Sequence, residues 1–250
     1  YEEGSYTDAE VEFEAGIRLL EDSQVRGLIG TDPQMGELYA DMGNLHYEIY
    51  NDLSGALNYY TLAEDNQFFN GDMSYKKGYI YYDKQNYDRA VLEFETALRT
   101  LSDRRNTQYA LANTLVYRQN LFGARNQYME ILRELKREES SLPYLAPEDI
   151  LEHRSLVNHF VRVYNNLAYV DYQLAGRSSD AAKQSQALLS LTRAADYADR
   201  LDRDPETKVR TRPEDSLVFQ NTMAMVKPVP GTDVHMYDDI PRTPDELLSR

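Results

Sequence analysis

The sequence predicts an all-α chain: a right-handed solenoid of α–α hairpins, followed by a proline-rich, largely non-helical C-terminal segment. Two observations carry this. A pattern recurs at a spacing of 34 residues, beginning at Asn51, Gln85 and Gln119. Within it, small and apolar residues fall three and four apart, which places them on one helix face. A third observation bounds the class. With 42% hydrophobic and 28% charged residues over 250 positions, the chain can bury a sizeable core.

The elements follow in order. GSYTDAEVEFEAGI carries Tyr6, Ala9, Phe13 and Gly16 on one stripe and reads as a second helix whose first-helix partner lies before Tyr1. A longer link, SQVRGLIGTDP, contains Gly27, Gly30 and Pro33. From Ala9 to Ala56 is 47 positions rather than 34, so the extra 13 either lengthen the first helix or add a loop. First helices are expected at about Glu37–Tyr50, Met73–Lys84 and Thr107–Arg118, with Gly43, Gly78 and Ala112 allowing close approach of a neighbour. Second helices carry Ala56, Ala90 and Ala124. Four residues on stand Tyr60, Phe94 and Tyr128, then Ala63, Ala97 and Ile131.

A longer fourth hairpin follows Pro143 and Pro147, where Glu148 and Asp149 suit a helix start. Its first helix includes YNNLAYVDYQLAG, Gly176, Ser178 and Ser179 form its turn, and its second helix runs from Asp180 to about Arg203. Beyond Arg210, Pro213, Pro228, Pro230, Pro241 and Pro244 break any long helix. There SLVFQNTMAMV reads as a strand or a docked segment, and the remainder as extended, disordered, or laid back in the chain's own groove. The expected divisions are residues 1–137, 138–208 and 209–250.

These repeats resemble the tetratricopeptide family, whose period is 34. YADMGNLHYEIYNDLSGALNYYTLAED is similar to a whole repeat, with Gly43, Ala56, Tyr60 and Ala63 at the family's positions and one extra residue in its turn. The second repeat matches at Gly78, Tyr81, Tyr87, Ala90, Phe94 and Ala97 but carries Lys77 where an apolar residue is usual. The third matches at Leu111, Ala112, Leu121, Ala124 and Tyr128. The resemblance implies a curved inner face lined by first helices. It would present Asn44, Tyr47 and Glu48; Tyr79, Tyr82 and Asp83; Asn113, Val116 and Tyr117; and Tyr169, Tyr172 and Gln173 to a protein or peptide. Asn44 and Asn113 would hold a peptide backbone through bidentate amide bonds. The tyrosines either face this groove or seal the seams between hairpins. The family's carboxylate clamp lacks its lysine, since Ala40, Tyr75 and Tyr109 stand near that place and Lys76 and Lys77 are out of phase.

Charge narrows the partners. The chain has 42 acids and 27 bases, a formal net charge of -15. Residues 1–65 hold 15 of the acids and only Arg18 and Arg26 as bases, whereas Arg99–Arg137 hold eight bases and three acids. An acidic end fits a basic partner, and the basic stretch an acidic one. Such a balance disfavours nucleic acid and an anionic membrane surface. No run of 18 apolar residues is present to span a bilayer. The sequence leaves self-association open.

No chemistry stands out. There is no cysteine, so thiolate nucleophiles and cysteine-held zinc are excluded. There is no phosphate-binding glycine loop, no H-E-x-x-H and no G-x-S-x-G. His46 reads as packing, His153 and His159 are not on one helix face, and Asp238 with Asp239 is a weak metal suggestion. No catalytic residue, metal or cofactor is expected. The expected function is a non-catalytic protein–protein scaffold within a larger assembly, with a lean toward the bacterial periplasm or envelope. The alternatives are a peptide-recognition co-chaperone, a docking arm of an enzyme, and a structural subunit of an envelope or motility apparatus.

Overall fold

The computed structural model describes residues 3–25, 31–102, 104–141, 154–178, 181–202, 216–226 and 233–246. Pro143, Pro147, His153, Asp180, Pro213, Pro228 and Pro230, and the glycines at 27 and 30, lie outside those residues. The described elements are helical throughout, and the chain forms two compact units, Tyr1–Ser102 and Asp103–Arg250.

The first unit holds α1 (Glu3–Val25), α2 (Pro33–Glu48), α3 (Leu53–Asp65), α4 (Gly71–Asp83) and α5 (Tyr87–Thr100). Two hairpins, α2–α3 and α4–α5, pack as adjacent antiparallel pairs, and α1 lies on α2. Part of the extra length near the N-terminus lies in α1, a 23-residue helix, rather than only in the first helix or a loop. Asp32 caps α2 through Gln34 N, with Pro33 in its first turn. Asn70 caps α4 by accepting from Met73 N at 2.7 Å.

Each hairpin closes on a small residue facing an aromatic ring. A Cβ on Gly43 would stand 2.4 Å from the Tyr60 ring, and one on Gly78 would stand 2.7 Å from Phe94. Ala56, Ala63, Ala90 and Ala97 are fully buried beside them. These glycines are kept for contact distance, since only a missing side chain lets the ring lie flat on the neighbouring helix.

Lys77 stands where an apolar residue was expected, and it is buried. Its ammonium reaches Glu64 of α3 at 2.5 Å and Glu93 of α5 at 2.9 Å. Burial works against its charge, but the two carboxylates outweigh this and hold its pKa above the ordinary value. Burial pushes the Glu93 carboxyl up despite that partner.

The second unit holds α6 (Arg105–Tyr117), α7 (Leu121–Ser141), α8 (Arg154–Ser178), α9 (Ala181–Asp202) and α10 (Leu217–Val226). Consecutive helices from α6 to α9 pack on one another, and α10 packs on α9. Phe160 stacks on Tyr197 with ring centres 4.1 Å apart, joining α8 to α9. Two expectations change here. Gly176 lies inside α8 rather than in the turn, since the helix runs on to Ser178. Of the two readings of SLVFQNTMAMV, strand or docked segment, the strand gives way: its core, Leu217–Val226, forms α10, which packs on α9 with Val218, Asn221 and Ala224 buried.

Candidate functional site: an asparagine-lined groove

In the second unit, α6 and α8 each present one polar stripe to the space between them. Asn106, Tyr109 and Asn113 recur at three and four along α6, and Arg162, Asn165 and Asn166 lie on α8. Asn113, Asn165, Asn166 and Asn221 of α10 are all 0% exposed. Buried amides at this density need partners, because an unmet donor or acceptor costs about 1–3 kcal/mol.

The partner is the chain itself. Residues 233–246 lie along the groove without regular structure. Asn166 brackets Tyr237, its Oδ1 accepting from Tyr237 N at 2.7 Å and its Nδ2 donating to Tyr237 O at 2.8 Å. Asn221 brackets His235 in the same way, at 2.8 Å and 2.6 Å. Asn113 and Tyr109 also donate to Tyr237 O, and Asn165 donates to His235 O. Residues 235 and 237 therefore turn their main-chain groups to the same side. That is the alternation of an extended strand, with asparagine side chains in place of a neighbouring strand.

The far end is held by Asn106 Nδ2, which donates to Pro244 O at 3.0 Å and Glu246 O at 2.7 Å. His159 Nε2 meets Asn106 Oδ1 at 3.1 Å and fixes that amide. Val234, Ile240, Pro241 and Pro244 are buried as apolar plugs. Arg162 reads side chains: its guanidinium reaches Asp239 at 2.6 Å and lies 5.0 Å from the centre of the Tyr237 ring. Burial alone would lower the Arg162 pKa, but Asp239 and Tyr109 hold it above its ordinary value. Burial raises the Tyr109 and Tyr128 phenols well above the usual range, so both stay protonated and able to donate. Tyr128 Oη donates to Asn113 Oδ1 at 2.5 Å.

The expected site residues separate by unit. Val116, Tyr117, Tyr169, Tyr172 and Gln173 come together with Gln119 and the docked segment around an open cleft of about 410 Å³. Tyr117 Oη donates to Asp238 at 3.2 Å. Asn113 donates one bond to a peptide carbonyl and spends its oxygen on Tyr128 and Asn166. The bidentate bond expected of it belongs to Asn166 and Asn221 instead.

In the first unit Asn44 is engaged by its own stack. Its Oδ1 accepts from Tyr60 Oη and Lys76 Nζ, both at 2.9 Å, inside the stack. Lys76 also bonds Glu48 at 2.5 Å and Asp72 at 2.7 Å. Tyr47 is buried edge-on to Tyr79, and Tyr82 packs on Tyr87. Tyr47, Tyr79 and Tyr82 thus contribute to seams within the stack. Asp83 is exposed.

Sequence reasoning missed Asn106, Arg162, Asn165, Asn166 and Asn221. The signal available was the Asn165–Asn166 pair, one turn before Tyr169, and Asn106, two turns before Asn113. Among the described residues no cluster of three His, Asp or Glu could hold a metal ion, and no helix is long and apolar enough to cross a membrane. His46 sits against Asp52 at 3.0 Å and the ring of Tyr59. No protein-family model matches the chain, and no curated protein does either.

Proposed function

We propose that this chain is a non-catalytic scaffold for protein–protein contact, built of tetratricopeptide-type repeats in right-handed stacking. It works by laying an extended segment along first helices. The observation that carries the reading is the pair of asparagine brackets on the main chain of residues 235 and 237. A site that grips backbone amides and carbonyls is built for extended polypeptide, because every residue of such a segment offers the same main-chain groups. The glycine–aromatic contacts at Gly43 and Gly78, 35 positions apart, support the repeat assignment. The first unit adds a second surface. It carries 20 acids and seven bases, and it suits a basic partner whose approach slows as salt is raised.

The test is site-specific photo-cross-linking of the full chain in its own cells. A cross-linking residue at Tyr172, in the cleft, should give a discrete polypeptide adduct. The same residue at Leu189, exposed on α9, should not. Identical patterns from both positions would refute a dedicated groove.

A further inference from the structure

The groove is filled, and its chemistry says by what class of segment. The asparagine brackets at residues 235 and 237 touch main chain only, so they set register and direction without identity. Identity comes from Arg162, whose side chain is 6% exposed. It touches the segment twice, through the ring of Tyr237 and the carboxylate of Asp239. A guanidinium buried to that degree is costly without a counter-charge. Asp239, by contrast, keeps 60% of its side chain exposed, so the fold around Arg162 calls for a carboxylate but does not enclose this particular one.

Charge points the same way. Residues 233–246 hold five acids and one base, whereas the rest of the second unit holds 17 acids and 19 bases. The segment is acidic, and the remainder of its unit is close to balanced with a slight positive excess. Emptying the groove would remove the main-chain partners of Asn113, Asn165, Asn166 and Asn221 and the carboxylate partner of Arg162 together. Exchange of one segment for another avoids that cost, since the same amides are met at every stage but the crossing.

We propose that the groove between α6 and α8 recognises extended acidic segments carrying a tyrosine two residues ahead of an aspartate. Residues 233–246 are its internal occupant, and a segment of this kind from another protein takes the site by displacing them. This rests on the scaffold reading above and names its ligand. Because the internal occupant is tethered, it competes at an effective concentration of order mM, and a free peptide binds the intact chain weakly.

The experiment uses the full chain and a fluorescent synthetic peptide of residues 233–246 added in trans. Binding is compared in the wild type and in a Tyr237→Ala/Asp239→Ala variant, with amide exchange at residues 235 and 237 reporting whether the internal segment is released. The expected result is at least tenfold tighter peptide binding by the variant, lost again when Arg162→Ala is added or when the peptide is scrambled. Equal binding by wild type and variant would overturn displacement. Release of the internal segment without peptide binding would overturn the ligand class while leaving the cross-linking test of the scaffold untouched. Retained protection at residues 235 and 237 in the variant would show that Arg162 does not set the choice, and would overturn the proposal as stated.

Discussion

Three single residues repeat a conformation that most residues avoid. Asn51, Gln85 and Gln119, 34 apart, have φ of 52°, 57° and 60°. Each ends a first helix in the left-handed region. At Gln85 and Gln119 the next amide reaches five residues back, Asn86 N to Tyr81 O and Asn120 N to Leu115 O, as in a Schellman turn. The following residue caps the second helix: Asp52 accepts from Gly55 N, Asn86 from Arg89 N and Asn120 from Gly123 N. A glutamine held there carries a penalty that glycine lacks. Gln85→Gly and Gln119→Gly should therefore each stabilise by about 1 kcal/mol, read as a higher denaturant midpoint. No change or a loss at both would mean the glutamine side chains make compensating contacts.

Asp171 tells the opposite story. Its Oδ1 accepts from Arg125 Nε at 2.7 Å, but its Oδ2 is buried without a partner among the described residues. Burial raises its pKa, with Arg125 opposing. The folded state thus binds that proton more tightly than the unfolded chain does. Its favourable contribution is full below about pH 4 and is lost as pH rises through the folded value. Asp171→Asn should gain on the wild type as pH is raised from 4 to 7. A stability difference independent of pH would contradict this.

At the scale of elements, the hairpins depend on glycine where a helix would ordinarily prefer alanine. Gly78→Ala gains up to about 1 kcal/mol of helix propensity. It also drives a methyl to 2.7 Å from the Phe94 ring, and overpacking of that kind costs about 1–3 kcal/mol. Phe94 is fully buried and cannot swing aside, so the clash wins. The variant should unfold at lower denaturant, and adding Phe94→Leu should recover part of the loss. If Gly78→Ala proves stabilising, the close approach of α4 and α5 is not what the glycine serves.

At the scale of the whole molecule, the second unit is closed by contacts far apart in sequence. Asn166 meets Tyr237 across 71 positions and Asn106 meets Glu246 across 140. Amides of His235 and Tyr237 point at asparagine oxygens, whereas that of Met236 has no partner among the described residues. Hydrogen exchange should show slow, fast and slow amides at positions 235, 236 and 237. Asn166→Ala should cut protection at Tyr237 by about tenfold or more, equivalent to at least one lost hydrogen bond. Uniformly fast exchange would mean the segment is not held as described.

The helix pairs were legible in the chain because helix periodicity is local. Ala56, Tyr60 and Ala63, and their counterparts at Ala90, Phe94 and Ala97, meet on one face whatever surrounds them. Gly43 and Gly78 announced close packing for the same reason. The groove was half legible. Asn113, Val116, Tyr117, Tyr169, Tyr172 and Gln173 do stand around it, but Asn44 is spent on Tyr60 and Lys76. An asparagine one residue past a small residue looks the same in sequence whether it meets a ligand or a lysine 32 positions on. The occupant of the groove was decided only by tertiary structure. Extended segments have no internal hydrogen bonds to mark them, so their place is set by which buried amides they satisfy, and those lie on other helices.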